Sequence, residues 1–151
     1  MTLTRRSMLT LSVGAAIGVV AGMRSGPAAA SADDVMAKVK EFGGGAEPAS
    51  GTVSLSAPEI AENGNTVPVS VSVDSPMTAD DYVESVAIYA DGNPSPDVII
   101  FNFTPMSGEA SATTRMRLAK TQNVYAVAKT STGQVFMDKK EVKVTIGGCG
   151  G

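Results

Sequence analysis

The residue best suited to chemistry is Cys149, the single cysteine of this 151-residue chain, which lies two residues from its end in Gly147-Gly148-Cys149-Gly150-Gly151. Glycine has no Cβ and reaches backbone angles closed to other residues, and chain ends are the least ordered parts of most domains. We therefore predict a flexible carrier arm over residues 147–151 that offers the Cys149 thiol to another molecule. From Ile146 to Cys149 an extended chain spans roughly 10 Å, which suits entry into the narrow pocket of a docked partner.

The chemistry open to this thiol is limited by the residue types that the chain lacks. The sequence contains no histidine, so a Cys-His pair of the kind that activates nucleophilic enzymes cannot form within this chain. One cysteine without histidine also cannot supply the nitrogen and sulfur ligands of a zinc or copper site. A free cysteine has a pKa near ~8.5, and the nearby terminal carboxylate disfavours its ionisation. We therefore predict no catalytic residue, metal or cofactor, and regard Cys149 as a group on which partners act.

Residues 1–32 have the features of an export signal. Arg5 and Arg6 precede an apolar run over residues 9–20, and small residues at 28–30 and 30–32 offer two cleavage sites. Paired arginines are typical of the bacterial twin-arginine pathway. We therefore predict a periplasmic protein that is exported folded and has no membrane span after processing. Because no cofactor ligands are evident, folded export indicates a partner subunit that leaves the cell with this chain.

The charge balance argues against one class of partner. The chain has 12 basic and 15 acidic residues. Loss of residues 1–32 removes three arginines and no acid, which leaves 9 basic against 15 acidic residues and a net charge of −6. Nucleic-acid binding depends on dense positive charge, so we predict none. Arg115, Arg117 and Lys120 are close in sequence, but alternating arginines on a strand face are usually solvated.

The elements that position the tail are predicted from hydrophobic periodicity. Residues 33–42 have acids first, bases later and apolar residues at Val35, Val39 and Phe42, which indicates a short amphipathic helix. Beyond the glycines at 43–45 the apolar period changes to two, and turn formers separate the segments. The predicted strands are 52–56, 67–73, 82–90, 98–103, 110–118, 123–130, 134–137 and 141–146, with turns that include 62–65, 91–96 and 138–140.

Seven or eight short strands at even spacing are typical of an antiparallel β-sandwich. We therefore predict an all-β, immunoglobulin-like sandwich with a short N-terminal helix over residues 33–146, followed by the flexible arm 147–151. In the last strand Val142, Val144 and Ile146 share one face. We expect Ile146 to be the last anchored side chain of the domain.

Three stretches of the sequence resemble the SoxY family, the sulfur-carrier subunits of the bacterial thiosulfate-oxidising (Sox) system. The most specific stretch is 140–151, which places Gly-Gly-Cys-Gly-Gly at the chain end. Residues 58–69 and 118–124 support the resemblance, as does the paired-arginine leader. The likeness covers nearly all of the chain after the leader.

The resemblance implies a function and a set of partners. The cysteine that matches Cys149 is expected to carry pathway intermediates as covalent sulfur adducts, in a heterodimer with a second small β-sandwich subunit, SoxZ. A c-type cytochrome complex is expected to couple thiosulfate to the thiol, and a dimanganese hydrolase to release sulfate. A molybdenum-containing dehydrogenase is expected to oxidise the remaining sulfane sulfur where it is present. Gly147, Gly148, Gly150 and Gly151 are then expected to admit Cys149 into successive active sites.

Two other interpretations of the thiol remain. The protein could be an exported structural module whose Cys149 forms an intermolecular disulfide, and a non-reducing gel would show the covalent dimer. A thiol-disulfide redox protein is disfavoured, because such proteins normally use a second, resolving cysteine.

Overall fold

The computed structural model of the chain describes residues 28–148. In that part of the chain one helix, α1 (Ala32–Phe42), precedes eight strands, and a 3-10 turn at Pro105–Ser107 lies between the fifth and sixth. The strands are β1 (Val53–Ser56), β2 (Ile60–Asn63), β3 (Val67–Val73), β4 (Val83–Ala90), β5 (Asp97–Asn102), β6 (Ala110–Met116), β7 (Gln122–Thr130) and β8 (Val135–Ile146).

The strands form two sheets, one of three strands in the order β1-β3-β6 and one of five in the order β2-β8-β7-β4-β5. This confirms the predicted all-β sandwich. One pairing differs from the expected antiparallel arrangement, because the short edge strand β2 runs parallel to β8, with Ala61 opposite Val144. The chain reaches β2 by leaving the other sheet after β1, so no tight hairpin forces the two strands to run in opposite directions.

The main core lies between the two sheets. The valines of β3 alternate with proline or serine, and all four valines are buried while Pro68 and Ser72 are exposed. They face apolar side chains of β4, β7 and β8, which include the fully buried Val86, Val124 and Val142. The period-two pattern therefore produces the half-buried sheet that it predicts.

Helix α1 covers the outer face of the five-stranded sheet. Val35 and Val39 are buried and pack against Tyr89 and Tyr125 in a second apolar cluster. Ser31 caps the helix: its hydroxyl accepts a hydrogen bond from the Asp34 N–H, and the Asp34 carboxylate accepts one from the Ser31 N–H. The cap and the first helical residue therefore fall within the predicted leader 1–32. Within residues 28–148 no helix is long and apolar enough to cross a membrane.

Two sequence expectations about the strands are wrong. The predicted turn at 62–65 begins two residues too early, since Ile60–Asn63 form β2 and the turn starts at Gly64. The predicted turn at 138–140 does not exist, because β8 runs unbroken through it. The Asp138 carboxylate accepts a hydrogen bond from the Leu55 N–H at 2.8 Å, and the Lys139 ammonium lies 5.8 Å from the centre of the Tyr125 ring. These contacts accommodate two charged side chains inside a strand.

Candidate functional site

The predicted site falls at the limit of the part of the chain that the structure describes. Gly147 and Gly148 are described, and Cys149, Gly150 and Gly151 lie outside the described residues. The site is therefore built from the groups that surround Gly147 and Gly148. These groups come from the end of β8, from the turn between β2 and β3, and from the segment between β6 and β7.

The end of β8 is held by its backbone. The side chain of Ile146 is 66% exposed, so the expectation that it is the last anchored side chain is wrong, although Val142 on the same face is fully buried. The anchor at this point is a hydrogen bond from the Gly64 N–H to the Ile146 carbonyl, at 2.8 Å. Ile146 also pairs in register with Asn63 of β2.

Two residues further on, the chain is held again. The N–H of Gly148 donates a hydrogen bond to the Leu118 carbonyl at 2.9 Å, and the Leu118 N–H donates to the Gly64 carbonyl at 2.8 Å. Gly64, Leu118 and the end of β8 are therefore linked in a closed set of backbone hydrogen bonds. Gly148 is buried in this arrangement. We call the set formed by Gly64, Leu118 and Ala119 around Gly147 and Gly148 the glycine clamp.

The glycine clamp has no room for side chains. A Cβ on Gly148 would lie 2.7 Å from the Gly64 carbonyl oxygen, and a Cβ on Gly64 would lie 2.6 Å from the Gly148 nitrogen. A Cβ on Gly147 would overlap the Ala119 carbonyl oxygen. Real Cβ atoms essentially never approach other heavy atoms within 3.0 Å. Three glycines are therefore needed for backbones to meet this closely.

This geometry differs from the sequence expectation that the arm moves freely from Gly147 onward. Sequence composition shows that glycine lacks a side chain, but it does not show which backbone lies beside it. Here Gly147 and Gly148 lie against the domain, and Cys149 follows directly after a held residue. Consecutive Cα atoms are about 3.8 Å apart, so the position of Gly148 limits where Cys149 begins.

The segment that receives Gly148 is itself braced by Asn93. The Asn93 amide nitrogen donates to the Arg117 carbonyl at 2.9 Å, and its Oδ1 accepts from the Ala119 N–H at 3.0 Å. The two bonds lie on either side of Leu118, whose side chain is fully buried in the core. Leu118 is therefore fixed both by its side chain and by its flanking backbone.

A buried glutamine connects this brace to the sheet. Gln122, at the start of β7, is 5% exposed. Its Nε2 donates to Asn93 Oδ1 at 2.9 Å and to the Lys120 carbonyl at 3.0 Å, and its Oε1 accepts from the Gly92 N–H at 2.8 Å. All of its polar atoms are used, as a buried amide requires.

The side chains whose pKa values are shifted lie near α1 and not in the glycine clamp. Burial raises the pKa of Tyr89 to about 12, with the Asp97 and Glu41 charges adding to it. Burial and then the hydrogen bond to Asp91 raise the pKa of Tyr125 to about 12. The hydrogen bonds from Ser31 lower the pKa of Asp34.

The other candidate groups of the sequence do not form a site. Arg115, Arg117 and Lys120 are all exposed, in keeping with solvated surface cations. Among residues 28–148, no three histidine, cysteine, aspartate or glutamate side chains are grouped so as to hold a metal ion.

Sequence reasoning missed Gly64, Asn93 and Gln122 as part of the site. Gly64 and Asn93 stand in segments predicted as turns, and Gln122 stands beside a strand, so each has an ordinary local explanation. One signal points to two of the clamp segments: the stretches 58–69 and 118–124, which support the resemblance, contain Gly64, Leu118 and Ala119. They lie far apart in sequence and meet at the end of β8.

Comparison with known proteins places the chain among sulfur-oxidation proteins. The family model described as Sulfur oxidation protein SoxY matches residues 39–149. The structure is similar to that of the sulfur carrier protein SoxY from Chlorobium limicola f thiosulfatophilum, with a TM-score of 0.63 and 33% sequence identity. That match covers 77% of this chain and 100% of the other. A search of curated proteins finds no match.

The fold also resembles that of superoxide reductases. The superoxide reductase (neelaredoxin) from Ignicoccus hospitalis matches with a TM-score of 0.57 over 77% of this chain and 94% of the other. The sequence identity is 21%. At this identity the likeness concerns the β-sandwich fold and not the reaction.

Proposed function

Because the chain belongs to the SoxY family, we propose that it carries sulfur intermediates of thiosulfate oxidation covalently on Cys149 and presents them to partner enzymes. Membership in the family supports a carrier role in sulfur oxidation rather than an enzymatic one. The observation that carries the proposal is the extent of the match: it begins inside α1 and includes the cysteine at residue 149. The thiol therefore belongs to the matched region.

The chemistry that we propose at the thiol is the one that membership in the SoxY family implies. In loading, the sulfur of Cys149 and the outer sulfur of thiosulfate form a disulfide bond, and the two electrons released pass to a c-type cytochrome while the thiol proton passes to water. Hydrolysis of the resulting Cys–S–S–SO₃⁻ group adds water across the bond to the sulfonate sulfur, which releases sulfate and leaves a persulfide. This chain contributes the attachment atom and its presentation, and the partners contribute the catalysts.

The partners follow from the same proposal. A SoxZ-like β-sandwich subunit forms a heterodimer with this chain, and the loading cytochrome, a dimanganese hydrolase and a molybdenum-containing sulfane dehydrogenase act on Cys149 in turn. A thiol without histidine in its own chain depends on such partners for a base or an oxidant. The paired arginines at 5 and 6 support export in the folded state to the periplasm.

The direct test is Cys149→Ser in the reconstituted system. The variant should fold normally and take up no sulfur, because a serine hydroxyl forms no persulfide or thiosulfonate. Intact mass spectrometry of the chain after incubation with thiosulfate and the loading complex measures the adduct. Sulfur uptake by Cys149→Ser equal to that of the wild type would contradict the proposal.

A matched control moves the thiol to another surface. Met106 is 96% exposed in the turn between β5 and β6, so Met106→Cys in the Cys149→Ser background restores a free thiol elsewhere. This double variant should stay unloaded. Equal loading at residue 106 would show that any exposed thiol suffices. A stable disulfide-linked homodimer on a non-reducing gel, without any sulfur adduct, would instead support the structural module.

A further inference from the structure

The three glycines of the clamp are needed for space and not for unusual backbone angles. Gly44, Gly45, Gly51, Gly108 and Gly133 have positive φ angles, which other residues rarely adopt. Gly64, Gly147 and Gly148 do not have positive φ. An alanine could therefore take their backbone conformation, and its cost would come from contact with the facing backbone.

Most of these contacts are with backbone atoms that are held in hydrogen bonds. The atoms that a Cβ on Gly64 would meet include the Leu118 carbonyl oxygen and the Gly148 nitrogen. Backbone atoms inside a hydrogen-bonded turn cannot rotate away as a long side chain can. Leu118 is further fixed by its buried side chain and by the Asn93 bonds on either side of it. A Cβ on Gly147 or Gly148 therefore displaces the chain end, whereas a Cβ on Gly64 presses both on the Gly148 nitrogen and on the Leu118 carbonyl that accepts its hydrogen bond.

We propose that Gly64 is a positioning residue for Cys149: it closes the glycine clamp on Gly147 and Gly148, and so sets the point from which the thiol leaves the domain. The role of the glycine clamp in presenting Cys149 rests on the proposed carrier function, whereas the geometry of the clamp is independent of that function. Gly64 acts through Ile146, by one hydrogen bond, and through Gly148, by leaving room for its nitrogen.

The distance that the Cys149 thiol can reach from the domain depends on whether the glycine clamp is closed or open. When it is closed, Cys149 begins one residue from a held position, about 3.8 Å from the Gly148 Cα. When it is open, the last backbone anchor is Ile146, and three residues give a reach of roughly 10 Å. A partner with a shallow active site meets the closed form, and a partner with a deep one must release Gly148 from Leu118.

The test measures the clamp without any sulfur chemistry. Amide hydrogen exchange of Gly148, followed by NMR on the full chain, should show protection of about fivefold or more over an unstructured peptide, the size expected for one net hydrogen bond. Gly64→Ala should abolish this protection. A nitroxide attached to Cys149 should at the same time give narrower spectral lines, since its point of attachment moves.

Two further variants keep the test decisive. Gly147→Ala fills the clamp from the chain end, where folding of the domain is not at risk, and it should lose the Gly148 protection as Gly64→Ala does. Gly44→Ala is the matched control, because its positive φ makes alanine strained while no atom lies within 4 Å of the new Cβ. It should lower the stability of the domain and leave the Gly148 amide protected.

The outcomes separate the clamp from the carrier function. An unprotected Gly148 amide in the wild type would overturn the proposal, as would protection that is equal in all four proteins. A protected amide that is lost in Gly64→Ala and Gly147→Ala but kept in Gly44→Ala would support it. This support would stand even if Cys149→Ser loaded sulfur normally, a result that would overturn the proposed function alone.

Discussion

Substitution of Asn93 gives a quantitative test of how the segment around Leu118, which binds Gly148, is held in place. Its side chain makes three hydrogen bonds, to the Arg117 carbonyl, the Ala119 N–H and Gln122 Nε2. Asn93→Ala removes all three, but Gln122 Nε2 keeps its bond to the Lys120 carbonyl. Three bonds are lost without replacement inside the protein, because the bond to Lys120 is already present in the wild type. At about 0.5–1.5 kcal/mol each, the free energy of unfolding should fall by about 1.5–4.5 kcal/mol.

A graded variant sharpens this prediction. Asn93→Asp keeps an oxygen to accept from the Ala119 N–H and from Gln122 Nε2, but replaces the donor to the Arg117 carbonyl with a second acceptor oxygen. Stability should fall by at least about 1 kcal/mol, because one bond is lost and two oxygens then face each other. Asn102→Ala, an exposed asparagine in the edge strand β5, is the matched control and should change stability by less than about 0.5 kcal/mol.

The assay is urea unfolding followed by circular dichroism, since the chain has no tryptophan. With a slope of about 1–3 kcal/mol per M for small proteins, the midpoint for Asn93→Ala should fall by roughly 1.5 M. Exchange of the Gly148 amide should quicken in the same variant, because the Leu118 carbonyl loses its support. A midpoint equal to that of the wild type would refute the argument that Asn93 braces this segment. A lower midpoint with unchanged Gly148 exchange would refute its link to the clamp.

Two more predictions concern other regions. The pKa of Tyr89 and of Tyr125 is raised to about 12 in each case, so the folded state keeps both phenols protonated at a pH where an unfolded tyrosine, with a pKa near ~10, ionises. The stability that this difference contributes is complete below about pH 10 and is lost as the pH rises toward 12. Tyrosinate absorbance from both residues in the native protein at pH 10 would contradict this prediction. We also expect the exported protein to begin at Ser31. Cleavage after Ala32 would remove the Ser31 cap of α1, which stabilises the helix by about 1 kcal/mol. An N-terminus at Asp33, measured by mass spectrometry, would contradict this prediction.

The strands with strong alternation could be predicted from the sequence because their signal is local. In β3 the predicted and observed bounds coincide at Val67–Val73, since every second side chain enters the core. The helix prediction differs by one residue, with α1 beginning at Ala32. In both cases the hydrophobic period alone determines which face is buried.

The two errors in the strands come from contacts made over long distances. β2 has one buried residue, Ala61, in four, so it carries almost no hydrophobic pattern of its own and is held by parallel pairing with β8. The charged residues 138–140 are typical of a turn, and the Leu55 N–H that accommodates Asp138 lies 83 residues away. Neither partner is visible from the local sequence.

The candidate site was half predictable for the same reason. The cysteine and its glycines are evident from composition and position at the chain end. The role of Gly147 and Gly148 depends on Gly64 and Leu118, which the fold brings from two other segments. Because glycine lacks a side chain, it permits either free backbone movement or close backbone packing. The backbone that lies opposite determines which of the two occurs. Here Gly147 and Gly148 pack against backbone.

The free energy that holds Gly148 in the glycine clamp is small enough to allow both close packing and release to a partner. Release of Gly148 breaks one backbone hydrogen bond, which is worth about 1 kcal/mol net, so the closed form is favoured about fivefold and about one molecule in six is open at any time. A partner that gains even a modest contact from the extended chain can shift this balance. A larger side chain at residue 147 or 148 would remove the closed form altogether, and many more hydrogen bonds would make release costly. Close backbone contact through glycine thus holds the base of the arm weakly enough to let it go.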